Sequence, residues 1–140
     1  HPSGRVVSVA YYTLVNINHI NLAVQDHELH WHSIHQVGNM AFDHNEILNT
    51  CLIRLQERIK AEPIGFNLLP EKFSMRSLQL LYESVLMVDL DRRNFRKKVM
   101  GTGLLIDMKE LESDVPHRPA KLFKFNSEKY RQQDIKGNFV

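Results

Sequence analysis

Eight consecutive residues, Asp91–Lys98 (DRRNFRKK), constrain this chain more than any other segment. Arg92, Arg93, Arg96, Lys97 and Lys98 set five positive charges beside one acidic residue, Asp91. Asp91 is a good helix N-cap, and Gly101-Thr102-Gly103 is a stop, so the segment predicts a helix over Arg92–Met100. Phe95 and Val99, four apart, are the pair that faces a core. The cations have to stay in water. Such a helix lies on a surface, held by one narrow apolar edge.

The flanking segments place it. Ser74 caps a helix over Met75–Leu86, whose Leu78, Leu81, Tyr82 and Val85 form an apolar stripe. Asp89-Leu90-Asp91 is a short turn. Leu104–Met108 and Ala120–Phe125 read as strands around a polar loop, Glu110–Pro119, that holds Pro116 and Pro119. Asn126–Tyr130 makes a last turn, and Arg131–Val140 reads as a loosely ordered tail. Helix, short turn, charged helix and two strands is the order of a winged helix-turn-helix.

That order gives the cations a partner. A recognition helix needs an apolar anchor inside and cationic side chains that reach phosphates and guanine edges outside. Arg92, Arg93, Arg96 and Lys97 fit the outer role, and Asn94 is a residue type that pairs bidentately with adenine. His117, Arg118, Lys121 and Lys124 lie in or beside the loop of the wing. Arg118, held between prolines, suits a minor-groove or phosphate contact. Ser74, Arg76 and Gln79 open the first helix, whose N-terminal amides suit a phosphate. A basic run by itself is more often a solvated face, and a charged hairpin loop says little alone. The helix before and the hairpin after favour double-stranded DNA.

The first half has different chemistry. Residues 1–69 carry four Lys/Arg against six Asp/Glu, and residues 70–140 carry fourteen against ten. Seven of the eight histidines fall in residues 1–44. Two modules are therefore expected. Arg5–Val15 (RVVSVAYYTLV) reads as a mostly buried strand, Ile20–Val24 as an extension of the sheet, and Leu29–Ile34 alternates as a further strand. Asp43, with Glu46 three residues on, starts a helix whose Ile47, Leu48, Cys51, Leu52, Leu55 and Ile59 recur through Ala61. Pro63–Pro70 is a stiff connector, too apolar for a free tether and expected to pack against both modules. The expected organisation is 1–61, a linker over 62–70, and a winged helix-turn-helix over 71–140. The turn-like start at His1-Pro2-Ser3-Gly4, without Met, leads to the expectation that a segment precedes it.

Several classes are disfavoured. With 43% hydrophobic and 24% charged residues, the chain is globular rather than low-complexity. No stretch approaches a membrane span, and one cysteine precludes an internal disulfide and suits a reducing, cytoplasmic setting. His30 and His32 share a strand face, but no acidic or cysteine ligand has clear spacing to them, so no metal site is expected. No GxSxG, phosphate-cradling glycine loop or Cys-His pair marks a catalytic centre. Cys51 sits on an apolar stripe and reads as core. A metal-binding or scaffolding module built on the histidines is a weaker rival.

Five ordered motifs carry a resemblance. They are Gly4-Arg5-Val6-Val7-Ser8-Val9-Ala10-Tyr11-Tyr12, Ala41-Phe42-Asp43-His44, Phe66-Asn67-Leu68-Leu69-Pro70, Leu80-Leu81-Tyr82-Glu83 and Arg93-Asn94-Phe95-Arg96-Lys97. Together they resemble the Nudix-related transcriptional regulators, nearest to their Bacteroidetes arabinose-responsive group. The resemblance implies an α+β chain: the C-terminal part of a Nudix-like α/β/α domain, then a winged helix. It implies a dimeric regulator, controlled by a sugar or an ADP-ribose-type ligand, with some members governing sugar metabolism. Arg92, Arg93, Asn94, Arg96 and Lys97 match the family's recognition-helix segment, and Arg118 falls in its wing. The Nudix box, whose carboxylates hold Mg²⁺ against a pyrophosphate, is absent, so hydrolysis and a cofactor are not expected of these residues. The alternative is a Nudix hydrolase of ADP-ribose or a related nucleoside diphosphate, with box and Mg²⁺ site outside this chain.

Overall fold

The computed structural model describes residues 4, 7–16, 20 and 30–132. Its contacts divide the chain into two units, 1–53 and 54–140. No helix among the described residues is long and apolar enough to cross a membrane.

The first unit departs from expectation. Residues 7–16 form no strand, and Val7, Val9 and Tyr11 are at least 71% exposed. A strand exists only through its ladder, and these residues have no ladder partner among the described residues. The alternating segment 29–34 likewise forms no strand over its described part, 30–34, and a 3₁₀ turn covers Ile34–Gln36. The expected extension over 20–24 lies, except for Ile20, outside the described residues. Helix α1, His44–Ala61, forms as expected, and the division between the units falls within it. Its start is fixed by the Asp43 carbonyl, which accepts from Ile47 N at 3.0 Å, and by Asn45. The Asn45 side chain accepts from Met40 N at 2.7 Å and donates to Gly38 O at 3.1 Å.

The second unit holds the rest: a 3₁₀ turn over Ile64–Leu68, β1 (Phe73–Ser74), α2 (Met75–Leu86), α3 (Arg92–Gly101), β2 (Leu105–Leu111), β3 (Lys121–Phe125) and α4 (Ser127–Gln132). The strands make one antiparallel sheet in the order β1-β3-β2, with Phe73 opposite Phe123 and Leu105 opposite Phe125. The core joins α2 and α3 to this sheet through Leu78, Tyr82, Phe95, Val99, Leu104 and Phe123. Tyr82 and Phe95 meet ring to ring at 5.6 Å, within the range where aromatic pairs attract.

Three boundaries move for physical reasons. The expected linker over 62–70 is built into this unit. Gly65 and Phe66 are buried, and Phe66 stacks on Phe125 at 4.3 Å. A Cβ on Gly65 would stand 3.0 Å from Leu81 Cδ2, so a larger residue would need that side chain to give way by a few tenths of an ångström. Ile59, near the end of α1, is fully buried in the same core. The packed unit therefore includes the residues expected as a connector. β2 runs three residues past its expected end, because an irregularity between Asp107 and Leu111 restores the pairing of Leu111 with Lys121. Lys109 sits there at φ +56°, and its N–H donates to Asp107 Oδ1 at 2.8 Å. The wing loop is thus shorter than 110–119: Glu112 N donates to Ala120 O at 2.9 Å and closes its base. The expected last turn is α4, whose Tyr130 ring meets Phe125 at 5.9 Å. Most of the tail, 133–140, lies outside the described residues.

Candidate nucleic-acid interface

The turn between α2 and α3 sets how the charged helix is presented. Ser74 caps α2, its Oγ accepting from Ser77 N at 3.2 Å. Asp91 caps α3, its Oδ1 accepting from Asn94 N at 2.8 Å. Between them a buried amide does the joining. Gln79 Nε2 donates to Glu83 Oε1 and to Leu90 O, both at 2.8 Å, and Leu90 N donates to the same Glu83 oxygen at 3.1 Å. The Gln79 hydrogen bond, then that of the Leu90 backbone, then the charge of Arg76 hold the Glu83 carboxyl below its ordinary value of 4.5.

A prediction follows from this lock. Gln79→Ala strips a buried bridge and lowers unfolding stability by about 1–3 kcal/mol in a denaturant titration. Glu83 has a lowered folded-state pKa, so its contribution is present above the unfolded value and is lost as pH falls through the folded one. Stability of the parent should therefore fall below about pH 4.5 more steeply than that of Glu83→Gln.

α3 divides its residues by face. Phe95 and Val99 are buried, and every other residue of the helix is exposed. Arg93 and Lys97 each lie two positions from Phe95, about 200° of helical turn, and face away from the core. Arg92 and Arg96 lie on one flank. There they line a cleft of about 410 Å³ with Arg76 of α2 and with Arg118 and Lys121 of the wing. The Arg96 guanidinium stands 6.0 Å from the centre of the Phe123 ring, which floors the cleft with Met75. Asp107, 3.7 Å from Lys121, is the nearby carboxylate on the wing side. Arg92, Arg93, Arg96 and Arg118 form no ion pair among the described residues.

Of the residues singled out in the sequence, Arg76, Gln79, Arg92, Arg96, Arg118 and Lys121 thus line one cleft. Arg93 and Lys97 lie beside it, exposed. His117 is exposed in the wing, its Nδ1 3.2 Å from Arg118 O. Gln79, 3% exposed, lines the cleft while its amide serves the turn. Two residues are placed differently. Ser74, 3% exposed, serves the cap. Asn94 lines a smaller pocket of about 250 Å³ with Lys60 and Leu86, on the flank away from the wing. Sequence reasoning missed Met75 and Phe123 as the apolar floor. Phe123 had a signal in the alternation of 120–125. His30 and His32 do come together, with ring centres 4.6 Å apart. Among the described residues no group of three His, Cys, Asp or Glu is placed to hold a metal ion.

Comparison with known proteins agrees with this geometry. Residues 65–125 match the family described as the NrtR DNA-binding winged helix domain. Over 132 residues, 92% of its length, the chain is 27% identical to the ADPR responsive transcriptional repressor NtrR of Acinetobacter baylyi. It spans about half of that relative, 52%. Two crystal structures of Shewanella oneidensis NrtR, one complexed with a 27mer DNA, are 28% identical to it. Each superposition covers 62% of this chain and 39% of the other, with TM-scores of 0.52 for the complex and 0.51 for the second structure. Residues 65–125 accordingly have a winged-helix fold and are similar to the NrtR DNA-binding domain.

Proposed function

We propose that this chain is the DNA-binding part of a transcriptional regulator governed by a small ligand. The observation that carries the reading is the cleft where α2, α3 and the wing bring Arg76, Arg92, Arg96, Arg118 and Lys121 together. Three elements distant in sequence converge with one sign of charge, which suits a polyanion far better than a solvated face does. The effector is of the ADP-ribose type, a reading supported by the wording "ADPR responsive" for the Acinetobacter relative. A sugar is the other candidate, from the arabinose-responsive resemblance. The ligand is bound by the Nudix-like part and shifts a homodimer between placements of its two winged helices, changing operator affinity. No hydrolysis is assigned to these residues, which lack the carboxylate pattern of a Nudix box.

The test is the binding of the full chain to mixed-sequence duplex DNA over a range of salt. Each phosphate neutralised adds about −0.9 to the slope of log K against log salt, so binding should weaken steadily as salt rises. A folded sample that fails to bind duplex at low salt overturns the reading.

A further inference from the structure

We propose that the cleft between α2, α3 and the wing clamps a single backbone phosphodiester, and that base reading falls to the neighbouring face of α3, carried by Arg93 and Lys97. The proposal rests on the DNA-binding reading and divides the labour within it.

Size comes first. A volume of about 410 Å³ admits a phosphate and its sugar, and it is too small for a duplex to enter. Chemistry agrees. The cations lining it come from three elements, so an anion inside is met from several sides. That surrounding suits the tetrahedral oxygens of a phosphate and not the planar edge of a base. Arg96 is also restrained. Its guanidinium stands 6.0 Å from the centre of the Phe123 ring, a cation–π contact that favours its turning toward the cleft. Arg118 belongs to a loop whose base is closed by the Glu112–Ala120 hydrogen bond and a second bond from Ala120 N to Glu112 Oε2 at 3.1 Å.

Arg93 and Lys97 have the opposite setting. They are exposed, four residues apart on one ridge, and away from Phe95 and Val99. Nothing in the cleft or the core engages them. A helix laid in a major groove presents this ridge to the base edges, where Arg and Lys take guanine O6 and N7. Asn94 is excluded from reading, because it packs on the other flank against the pocket shared with Lys60.

The experiment selects preferred duplexes from a randomised pool with the full-length chain. It then compares Arg93→Ala, Arg96→Ala, Arg118→Ala and Asn94→Ala on the preferred duplex and on single-base changes of it. Arg96→Ala and Arg118→Ala should weaken all duplexes by one common factor. Each should make the salt slope shallower by about 0.9 and leave the order of base preference intact. Arg93→Ala should reduce the preference at one or two positions by about 5- to 150-fold, and Asn94→Ala should reduce none. Arg118 lies in the wing, outside the core, so its variant carries the clamp test even if Arg96→Ala fails to fold. Loss of a base preference in Arg118→Ala, or an unchanged preference in Arg93→Ala, overturns the division. A parent chain that binds no duplex overturns the regulator reading itself, and the clamp with it.

Discussion

Phe95→Ala lowers the melting midpoint of the second unit far below that of the parent. Phe95 is 3% exposed, sits in the middle of α3 and faces the Tyr82 ring. Truncating a buried phenylalanine to alanine costs about 3–5 kcal/mol, from lost transfer energy and the cavity left behind. Small domains hold a margin of only about 5–15 kcal/mol in total. The loss is concentrated because α3 has just one other buried residue, Val99, to hold it. Thermal melting followed by far-ultraviolet circular dichroism checks this. Phe95→Leu, which keeps much of the apolar volume, should fall between parent and alanine variant. A Phe95→Ala protein that melts with the parent would show that α3 is not anchored through this ring.

Replacing Arg92, Arg93, Arg96 and Lys97 together with alanine abolishes measurable duplex binding at moderate salt and spares the fold. All four are exposed, and none is a member of the core. Alanine is also the best helix former, so α3 keeps its propensity and its Asp91 cap. Loss of the phosphate held by Arg92 and Arg96 makes the salt slope shallower by about 1 unit, and loss of Arg93 and Lys97 removes base contacts as well. Affinity against salt, measured by fluorescence anisotropy alongside a melting curve, separates the two effects. Undiminished binding by a folded quadruple variant would remove α3 from the interface.

What was legible in the sequence was local. Ser74 and Asp91 cap the helices they were expected to cap, because capping needs only the backbone a few residues on. Phe95 and Val99 are buried because a single apolar edge leaves a charged helix no other face to hide. What escaped was non-local. β1 is two residues long and exists only through its pairing with Phe123 and Leu122, some fifty residues away. The two-proline connector was apolar enough to be expected to pack, but its partner was not legible: Phe66 stacks on a ring, Phe125, that lies far along the chain. The apolar run over 5–15 has a strand composition, but composition does not supply a ladder partner. Helical periodicity already separates Asn94 from Arg92 by about 200° of turn. Which of those flanks meets the wing is decided only by the hairpin's return, and that choice gathers Arg92 with Arg118 and leaves Asn94 out.

The cleft also bears on the free protein. Its cations share about 410 Å³, and among the described residues Asp107, beside Lys121, and Glu83, acting on Arg76, offset part of their charge. Like charges gathered this way repel, and the compact state carries that repulsion whenever DNA is absent. Dissolved ions relieve it by screening over about a Debye length. Salt therefore acts in two directions on one molecule: it firms up the unoccupied domain and loosens its grip on duplex. The strain that makes the site useful is released when a polyanion arrives, so this winged helix is best tolerated by its own charges when it is occupied.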